Sequence, residues 1–325
     1  MTRSNTFISI ICSTLVAGWF SLDATADHHV DVEYAEQMPL ATNSMLLDIA
    51  RSGNVLVAVG ERGHIVTSTD GKTWTQAEHV PTRSTLTTVF SVGNRLWAAG
   101  HDAVILTSGD KGKTWTQLYF DPERNQAVMD IYFADEDNGV AIGSYGLYLY
   151  TSDGGKTWDE ATVDEESDYH LNSIVDLGEG RWIIAGEAGY SYRSFDSGET
   201  WEAIDMPYQG SMWGALETSD GCVLFYGLRG HVLESCDFGT GWSEIETGSE
   251  SSISGAAEFE ELVVLGANGG ILLIRDDSRA YRVYHHSSGV DFSSVLSLGD
   301  GNFLLVGEDG VHRYPETAKT GEGNE

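Results

Sequence analysis

Six aspartates at a constant spacing are the first residues in this chain whose type could carry chemistry. Each stands ten residues after a glycine that ends a run of small and apolar residues, and they are Asp70, Asp110, Asp153, Asp196, Asp237 and Asp276. Paired carboxylates are the catalytic groups of most glycoside hydrolases. Here, however, the aspartates sit in an S/T-x-D-x-G-x-T-W pattern, whose Ser and Asp side chains bond to nearby backbone N–H groups. We therefore expect them to be structural and to fix turns.

A second set of polar and aromatic residues follows the same glycines. In a ring of repeated units these turns would share one face and surround one opening, which is the usual form of a binding site. Because turns are polar for many reasons, single members of the set can also be ordinary surface residues. The predicted partner-binding face consists of Glu61, Arg62, His64, His101, Asp102, Ser144, Tyr145, Glu187, Tyr190, Arg229, His231, Asn268, Glu308 and Asp309.

The elements that must position these residues form seven repeats. The glycines end LVAVG, LWAAG, GVAIG, WIIAG, VLFYG, LVVLG and FLLVG, at positions 60, 100, 143, 186, 227, 266 and 307. This period of roughly 40 residues is the length of a four-stranded propeller blade. A short pattern with compact third residues precedes each run and predicts the innermost strand. The fold class is therefore all-β, a seven-bladed β-propeller of four-stranded blades.

The two ends of the propeller need a separate explanation. The seventh repeat stops at VHRYPET without an aspartate box or a fourth strand, whereas residues 29–36 (HVDVEYAE) alternate and belong to no repeat. We expect this N-terminal segment to complete the last blade, since pairing it there would remove an exposed edge. The propeller would then span residues 27–316, followed by a flexible acidic tail at residues 317–325.

The first 26 residues have the features of a cleaved signal peptide. Arg3 precedes an apolar run over residues 7–20, and Ala24-Thr25-Ala26 precedes Asp27. A retained membrane anchor is the alternative, but the run is short for a bilayer and contains Ser, Thr and Gly. The expected protein is periplasmic, with no direct membrane insertion after cleavage. Its net charge of −32 disfavours nucleic acid and anionic lipid as partners.

Two cysteines, Cys222 and Cys236, would remain in a compartment where disulfides persist. If the fifth hairpin turns at Leu228 and Arg229, then Cys222 lies opposite Ser235 and next to Cys236. Strict register would put the two sulfurs on opposite faces, whereas a small bulge would bring them together. The sequence thus leaves a Cys222–Cys236 disulfide open. It contains no nucleotide, zinc or hydrolase motif, so we expect no metal and no cofactor.

The seven units, the A-x-G-x-x-G turns and the boxes SGDKGKTW, TSDGGKTW and SFDSGETW resemble the photosystem II stability/assembly factor-like family of Asp-box (BNR-repeat) propellers. The resemblance covers nearly all of the mature chain. Photosynthetic members are non-catalytic and assist assembly of a reaction-centre protein, and for a member of the non-photosynthetic bacterial type the resemblance implies an extracytoplasmic binding or scaffold role. We expect a monomer. The implied partner is a membrane protein or envelope complex. The family's arginine-rich patch has no counterpart residue by residue, since the arginines here are scattered.

Asp boxes also occur in sialidases, so a glycoside hydrolase is the alternative function. Such a site needs an arginine cluster, for which Arg62, Arg83, Arg124 and Arg229 are available on the predicted face. It also needs a nucleophile, for which Tyr145 or Tyr190 could neighbour Glu187. Seven units in place of the usual six argue against this alternative.

The first prediction concerns the mature N-terminus. Intact mass spectrometry of the exported protein should give Asp27 as the first residue, and a mass that includes residues 1–26 would contradict cleavage. The new terminus would carry Asp27-His28-His29, an arrangement that can hold Cu(II) in a square plane through the amine, amides and imidazole. Nothing else in the sequence suggests copper chemistry, and the segment is better explained as the start of the closing strand.

Overall fold

Seven antiparallel sheets make up the described part of the chain. The computed structural model describes residues 32–275 and 280–316. Within them, six sheets have four strands and the last has three, and neighbouring strands follow the order of the sequence. The first strand of each sheet contacts the first strand of the next, and the seventh contacts the first. The sheets therefore close into a ring, and the predicted seven-bladed all-β propeller is confirmed.

The strands of the first four blades have the following bounds. Blade 1 contains β1 (Leu46–Ser52), β2 (Val55–Gly60), β3 (Ile65–Ser68) and β4 (Thr75–Gln76). Blade 2 contains β5 (Leu86–Val92), β6 (Arg95–Gly100), β7 (Ile105–Ser108) and β8 (Thr116–Tyr119). Blade 3 contains β9 (Val128–Phe133), β10 (Gly139–Gly143), β11 (Tyr148–Thr151) and β12 (Asp159–Glu160). Blade 4 contains β13 (Leu171–Asp176), β14 (Trp182–Gly186), β15 (Tyr192–Ser194) and β16 (Glu202–Ala203).

The remaining blades follow the same plan. Blade 5 contains β17 (Met212–Glu217), β18 (Val223–Gly227), β19 (Val232–Ser235) and β20 (Ser243–Ile245). Blade 6 contains β21 (Ile253–Phe259), β22 (Leu262–Ala267), β23 (Ile271–Arg275) and β24 (Tyr281–His285). Blade 7 contains β25 (Phe292–Gly299), β26 (Asn302–Gly307) and β27 (Gly310–Tyr314). Short 3-10 turns lie at Ala41–Asn43, Glu61–Gly63, His101–Ala103, Pro122–Arg124, Ser144–Gly146, Glu187–Gly189 and Leu228–Gly230.

The repeated glycine is required by the close approach of two strands. A Cβ at Gly100 would lie 2.1 Å from the Thr85 carbonyl oxygen, and the glycines at 60, 143, 227 and 307 meet the equivalent carbonyl at 2.0–2.3 Å. In blade 6 the position belongs to Ala267, which pairs with Ile253, and not to Gly266. The glycine pattern therefore locates this position correctly in the other blades and misplaces it by one residue in the sixth.

Apolar side chains between adjacent blades hold the ring together. The first core cluster joins Val57 and Val59 of blade 1 to Leu86 and Leu96 of blade 2, and equivalent clusters occupy the following interfaces. The last cluster joins Leu46 of blade 1 to Leu304 and Val306 of blade 7. The ring therefore closes through packing of whole sheets, which buries both faces of each blade.

The predicted closing strand is wrong for the part of residues 29–36 that is described. Residues 32–36 form no strand. The Ala35 amide donates to the Val80 carbonyl at 2.9 Å, and the Tyr34 ring lies 5.4 Å from that of His79. Ala35 also packs against the first core cluster, which lies between blades 1 and 2. The segment therefore follows the connection from blade 1 to blade 2. Blade 7 instead meets blade 1 through the last core cluster and through Arg313, which donates to the Gly71 carbonyl at 3.4 Å.

The Asp boxes fix turns. The Asp153 carboxylate accepts hydrogen bonds from the Thr157 amide at 2.9 Å, the Thr157 hydroxyl at 2.7 Å and the Thr151 hydroxyl at 2.9 Å. These bonds, with the Thr157 amide first, lower the pKa of Asp153 to about 2. The same bonding recurs at Asp70, Asp110 and Asp196, and a reduced version occurs at Asp237.

Cys222 and Cys236 form a disulfide with their Cα atoms 4.1 Å apart. In the hairpin of blade 5, Val223 pairs with Ser235, so Cys222 faces Cys236 directly and not Ser235 as expected. The difference of one residue arises because the connection is the three-residue turn Leu228–Gly230, centred on Arg229.

Several predictions fall on residues that the structure does not describe. These are the signal peptide at residues 1–26, the Asp27-His28-His29 terminus, residues 29–31 of the proposed closing strand, Asp276 and the tail at residues 317–325. Within residues 32–275 and 280–316, no helix is both long enough and apolar enough to cross a bilayer.

The glycine constraint gives the second prediction. Replacing Gly100 by Ala should lower the free energy of unfolding by about 1–3 kcal/mol, because the added methyl overlaps the Thr85 carbonyl. The backbone conformation contributes nothing, since the φ of Gly100 is 178°. Gly109→Ala is the matched control, because a Cβ there meets nothing within 4 Å. Equal denaturant midpoints for the two variants would contradict the close approach.

Candidate functional site

The turns after the glycines lie at one end of the propeller, together with the connections between blades. A Cβ on Gly63 would meet the carbonyl of Thr82, and one on Gly230 would meet that of Ser249, both in such connections. At the other end, the Asp-box turns contact the hairpins between the first and second strands, as in the bond from the Ser197 amide to the Gly180 carbonyl. We call the first end the turn face.

The five 3-10 turns after the glycines share one backbone conformation. Their central residues are left-handed, with φ between 53° and 59°, and they are Arg62, Asp102, Tyr145, Ala188 and Arg229. Arg62, Tyr145 and Arg229 are exposed. These three predicted residues therefore project from the turn face.

The mouth of the central channel is lined by different residues. Each inner strand has a β-bulge after its first residue, as between Leu46 and Asp48. The skipped residues of all seven blades surround a cavity of about 440 Å³, and they are Leu47, Thr87, Met129, Asn172, Trp213, Ser254 and Ser293. His170, Glu187 and Ser211 complete the wall.

Of the predicted face, only Glu187 reaches this cavity. The reason is the bulge, which leaves one residue per inner strand outside the regular pairing. The turn residues lie farther out, around the rim. The sequence contained a usable signal, since each bulge residue is the second position of the inner-strand pattern.

Aromatic and imidazole side chains cluster on the turn face of blades 3 to 5. The Tyr169 and Tyr190 rings are stacked at 4.2 Å, those of Tyr208 and His231 are stacked at 3.9 Å, and Tyr145 lies edge-on to His170 at 5.0 Å. Tyr145, Tyr169 and Tyr190 are exposed by 58%, 39% and 40%. We call these six residues the aromatic arc. Sequence reasoning missed Tyr169, His170 and Tyr208 because they lie in blade connections and not in the turns.

His170 links the aromatic arc to the mouth. Its Nδ1 lies 3.8 Å from Glu187 Oε2, and its backbone amide donates to the same oxygen at 3.3 Å. On the outer side of the arc, His231 Nδ1 lies 2.6 Å from Glu244 Oε1. This arrangement offers flat surfaces and hydrogen-bonding groups to a ligand.

Other predicted residues serve the local structure of blades 1, 2, 3, 6 and 7. His64 is buried with its Nδ1 3.0 Å from the Ser44 hydroxyl, and burial lowers its pKa. Asp102 accepts a hydrogen bond from Ser84 at 2.6 Å. The Ser144 hydroxyl accepts a hydrogen bond from the Ala127 amide, and the Glu308 carboxylate accepts one from the Asp291 amide. The Asn268 amide donates to the Ser252 carbonyl. Asp309 has a left-handed backbone, and His101 is exposed.

The arginines of the glycosidase alternative are not gathered by the fold. Arg62 lies 3.9 Å from Glu61, Arg83 lies 3.1 Å from Glu36, and Arg124 lies 2.7 Å from Glu160, so each has its own carboxylate partner. Arg229 belongs to blade 5, away from these three. Within the described residues, no three His, Cys, Asp or Glu side chains are arranged to hold a metal ion.

Two carboxylates tie neighbouring inner strands together at the axis. Asp48 Oδ2 of blade 1 accepts from the Val89 amide of blade 2 at 2.8 Å, and Asp130 Oδ2 of blade 3 accepts from the Ile174 amide of blade 4 at 2.9 Å. Enclosure at the axis raises the pKa of both groups. That of Asp130 reaches about 7, and the Asp48 charge contributes to the increase.

Comparison with known proteins supports the resemblance seen in the repeats. Residues 120–211 match the family model described as photosynthesis system II assembly factor YCF48. A solved structure of YCF48 bound to D1 peptide is 20% identical with a TM-score of 0.68, and the match covers 86% of this chain and 94% of that chain. YCF48 from Cyanidioschyzon merolae gives 20% identity and 0.68 over 86% and 97%.

The fold is also shared more widely. The WD40 propeller domain of Doa1 is 12% identical with a TM-score of 0.69, over 86% of this chain and 96% of that one. No curated protein matches the chain. The resemblance to the photosystem II assembly factor-like propellers is thus confirmed by the family match, and that family is non-enzymatic, whereas the fold alone also serves enzymes.

The axial carboxylates give the third prediction. Replacing Asp48 by Asn should lower the pKa of Asp130, measured by NMR titration of its carboxyl carbon, because the neighbouring negative charge is removed. Asp70→Asn, in a remote box, should leave it unchanged. In the wild type the folded-state pKa of about 7 exceeds the ordinary aspartate value of 3.8, so between these two values the folded protein holds a proton that the unfolded chain has lost. The contribution of Asp130 to stability therefore falls as pH rises from about 4 to 7.

Proposed function

We propose that this chain is a non-catalytic, extracytoplasmic binding propeller that holds a protein partner across the channel mouth and the aromatic arc. Its role is to assist the assembly or function of a membrane protein or envelope complex. It acts without a cofactor, as a rigid ring that presents a preformed surface.

The aromatic arc beside an open mouth is the observation that carries this proposal. Tyrosine and tryptophan are enriched at protein interfaces, where they supply large contact areas at little cost in conformational entropy. Here three exposed tyrosines lie on one side of the turn face, while Trp213 and Met129 line the adjoining cavity. An extended segment of a partner can lie on the arc and place a side chain in the mouth.

The comparisons and the charge support the same kind of partner. A propeller of the same fold, YCF48, has been solved with a bound D1 peptide, which favours a polypeptide ligand here as well. The net charge of −32 disfavours nucleic acid. The signal-peptide features support an extracytoplasmic place of action. No contact in the described site favours the glycosidase alternative over this one.

The fourth prediction tests the aromatic arc. Replacing Tyr145 and Tyr190 together by Ser should weaken binding of the partner captured from the native envelope by about tenfold or more, because two exposed aromatic anchors are lost. Affinities are measured by biolayer interferometry with the purified partner. Phe195→Ser is the matched control, since Phe195 is 55% exposed but belongs to an Asp box on the opposite end.

Two results would contradict the proposal. One is that Phe195→Ser weakens partner binding as much as the double variant does, because the partner would then not bind specifically at the turn face. The other is turnover of glycosides by the wild-type protein together with retention of all of the chain in the cytoplasmic fraction.

A further inference from the structure

Arginine side chains fill the clefts between blades at three places. Arg95 of blade 2 donates to the Gly154 carbonyl of blade 3 at 3.0 Å, Arg193 of blade 4 donates to the Phe238 carbonyl of blade 5 at 3.0 Å, and Arg313 of blade 7 donates to the Gly71 carbonyl of blade 1 at 3.4 Å. Each acceptor is the residue that follows the box aspartate. The same cleft position therefore receives a guanidinium at three interfaces of one molecule.

Aromatic rings accompany two of these arginines. The Arg95 guanidinium lies 4.9 Å from the centre of the Trp97 ring, and that of Arg193 lies 5.4 Å from the Phe195 ring. The cleft thus combines a carbonyl acceptor with an aromatic wall, which is a suitable environment for a planar cation.

The cleft between blades 3 and 4 has the same frame without the arginine. In blade 3, Tyr150 holds the third-strand position that Arg193 holds in blade 4 and Arg313 in blade 7. Each of the three pairs with the residue that stands three positions before the repeated glycine, namely Val140, Ile183 and Leu304. Asn138, which precedes β10, stands where Arg95 begins β6, five residues before the repeated glycine. Neither side chain fills the cleft, which is an open cavity of about 680 Å³.

The residues around this cavity match the chemistry of the filled clefts. Ser197, which follows the box aspartate of blade 4, lines the cavity at the place of Gly154, Phe238 and Gly71. The aromatic walls are Tyr148, Tyr150 and Trp182. A volume of this size is typical of small-ligand sites.

The charge around the cavity is uncompensated. Asp135, Asp176 and Glu199 line it, and no lysine or arginine does. Asp176 accepts only neutral donors among its hydrogen bonds, namely the Tyr132 hydroxyl at 2.6 Å and the Gly178 amide at 2.8 Å. Carboxylates beside aromatic faces favour a cation, and a guanidinium can bond to a carboxylate and a carbonyl at once.

From these observations we propose that the cleft between blades 3 and 4 binds a guanidinium group supplied by another molecule. The group is either an arginine side chain of a polypeptide or a small guanidinium compound, and the two share the chemistry that the cleft recognises. The site lies at the Asp-box end of the blades, apart from the mouth and the aromatic arc, so it does not depend on the function proposed for the turn face.

Calorimetric titration of the whole protein with short blocked peptides tests this site. A Gly-Arg-Gly peptide should bind, whereas the same peptide with citrulline, which is neutral and nearly isosteric, should not. Methylguanidinium and free arginine form the second arm. Tighter binding of the peptide assigns the site to a polypeptide, and tighter binding of the small compounds assigns it to a small molecule.

Asn138→Arg is the decisive variant, because it places a guanidinium in the cleft as Arg95 does in the preceding one. It should weaken binding of the arginine peptide by about tenfold or more. Asn302→Arg is the matched control, since Asn302 holds the same position in blade 7, where Arg313 already fills the cleft. It should leave binding unchanged. Glu199→Gln should weaken binding without affecting the thermal transition, because its carboxylate is exposed.

Three results would overturn the proposal. They are the absence of saturable binding by every guanidinium ligand, equal binding of the citrulline or a lysine peptide, and full retention of binding by a folded Asn138→Arg variant.

Discussion

The close approach of the second strand to the start of the inner strand is the constraint on which the propeller depends. In blades 1, 2, 3, 5 and 7, the glycine that ends the second strand leaves room for nothing larger than hydrogen beside the preceding carbonyl oxygen, whereas Ala267 holds this position in blade 6. The two strands can meet so closely only because the inner strand bulges by one residue at that point. The bulge in turn directs seven side chains to the channel mouth. One backbone contact, repeated around the ring, therefore determines both the packing at the axis and the lining of the candidate site.

The distribution of charge follows from the same geometry. Few cations are available in so acidic a chain, and several arginines are used between blades, where their guanidinium groups satisfy backbone carbonyls of the next Asp box. The carboxylates of Asp48 and Asp130 at the axis also connect blades, because each accepts a hydrogen bond from a backbone amide of the neighbouring inner strand. Polar groups thus hold adjacent sheets in register, while apolar clusters between them provide most of the stabilisation.

The two ends of the molecule have different chemistry as a result. The turn face carries aromatic rings and a mouth of mixed polarity on blades 3 to 5, which suits a polypeptide lying across the surface. The opposite end carries the Asp boxes, and the carboxylates of the five described box aspartates accept hydrogen bonds within their own turns. Between blades 3 and 4, where no arginine fills the cleft, that end presents an open cavity lined by Asp135, Asp176 and Glu199.

The sequence by itself determined the number of blades, the Asp-box turns and the face on which Arg62, Tyr145 and Arg229 project, because these features depend on contacts within a single repeat. Contacts between repeats were decided only by the tertiary structure. They include the course of residues 32–36 along the blade 1 to blade 2 connection, the lining of the mouth by Met129 and Trp213, and the arc formed by Tyr169 and Tyr190. The Cys222–Cys236 pairing depended on a hairpin register that differed by one residue from the expected one. Local patterns fix which turn a segment makes, but which side chains meet across a blade interface depends on packing between residues about 40 positions apart or more.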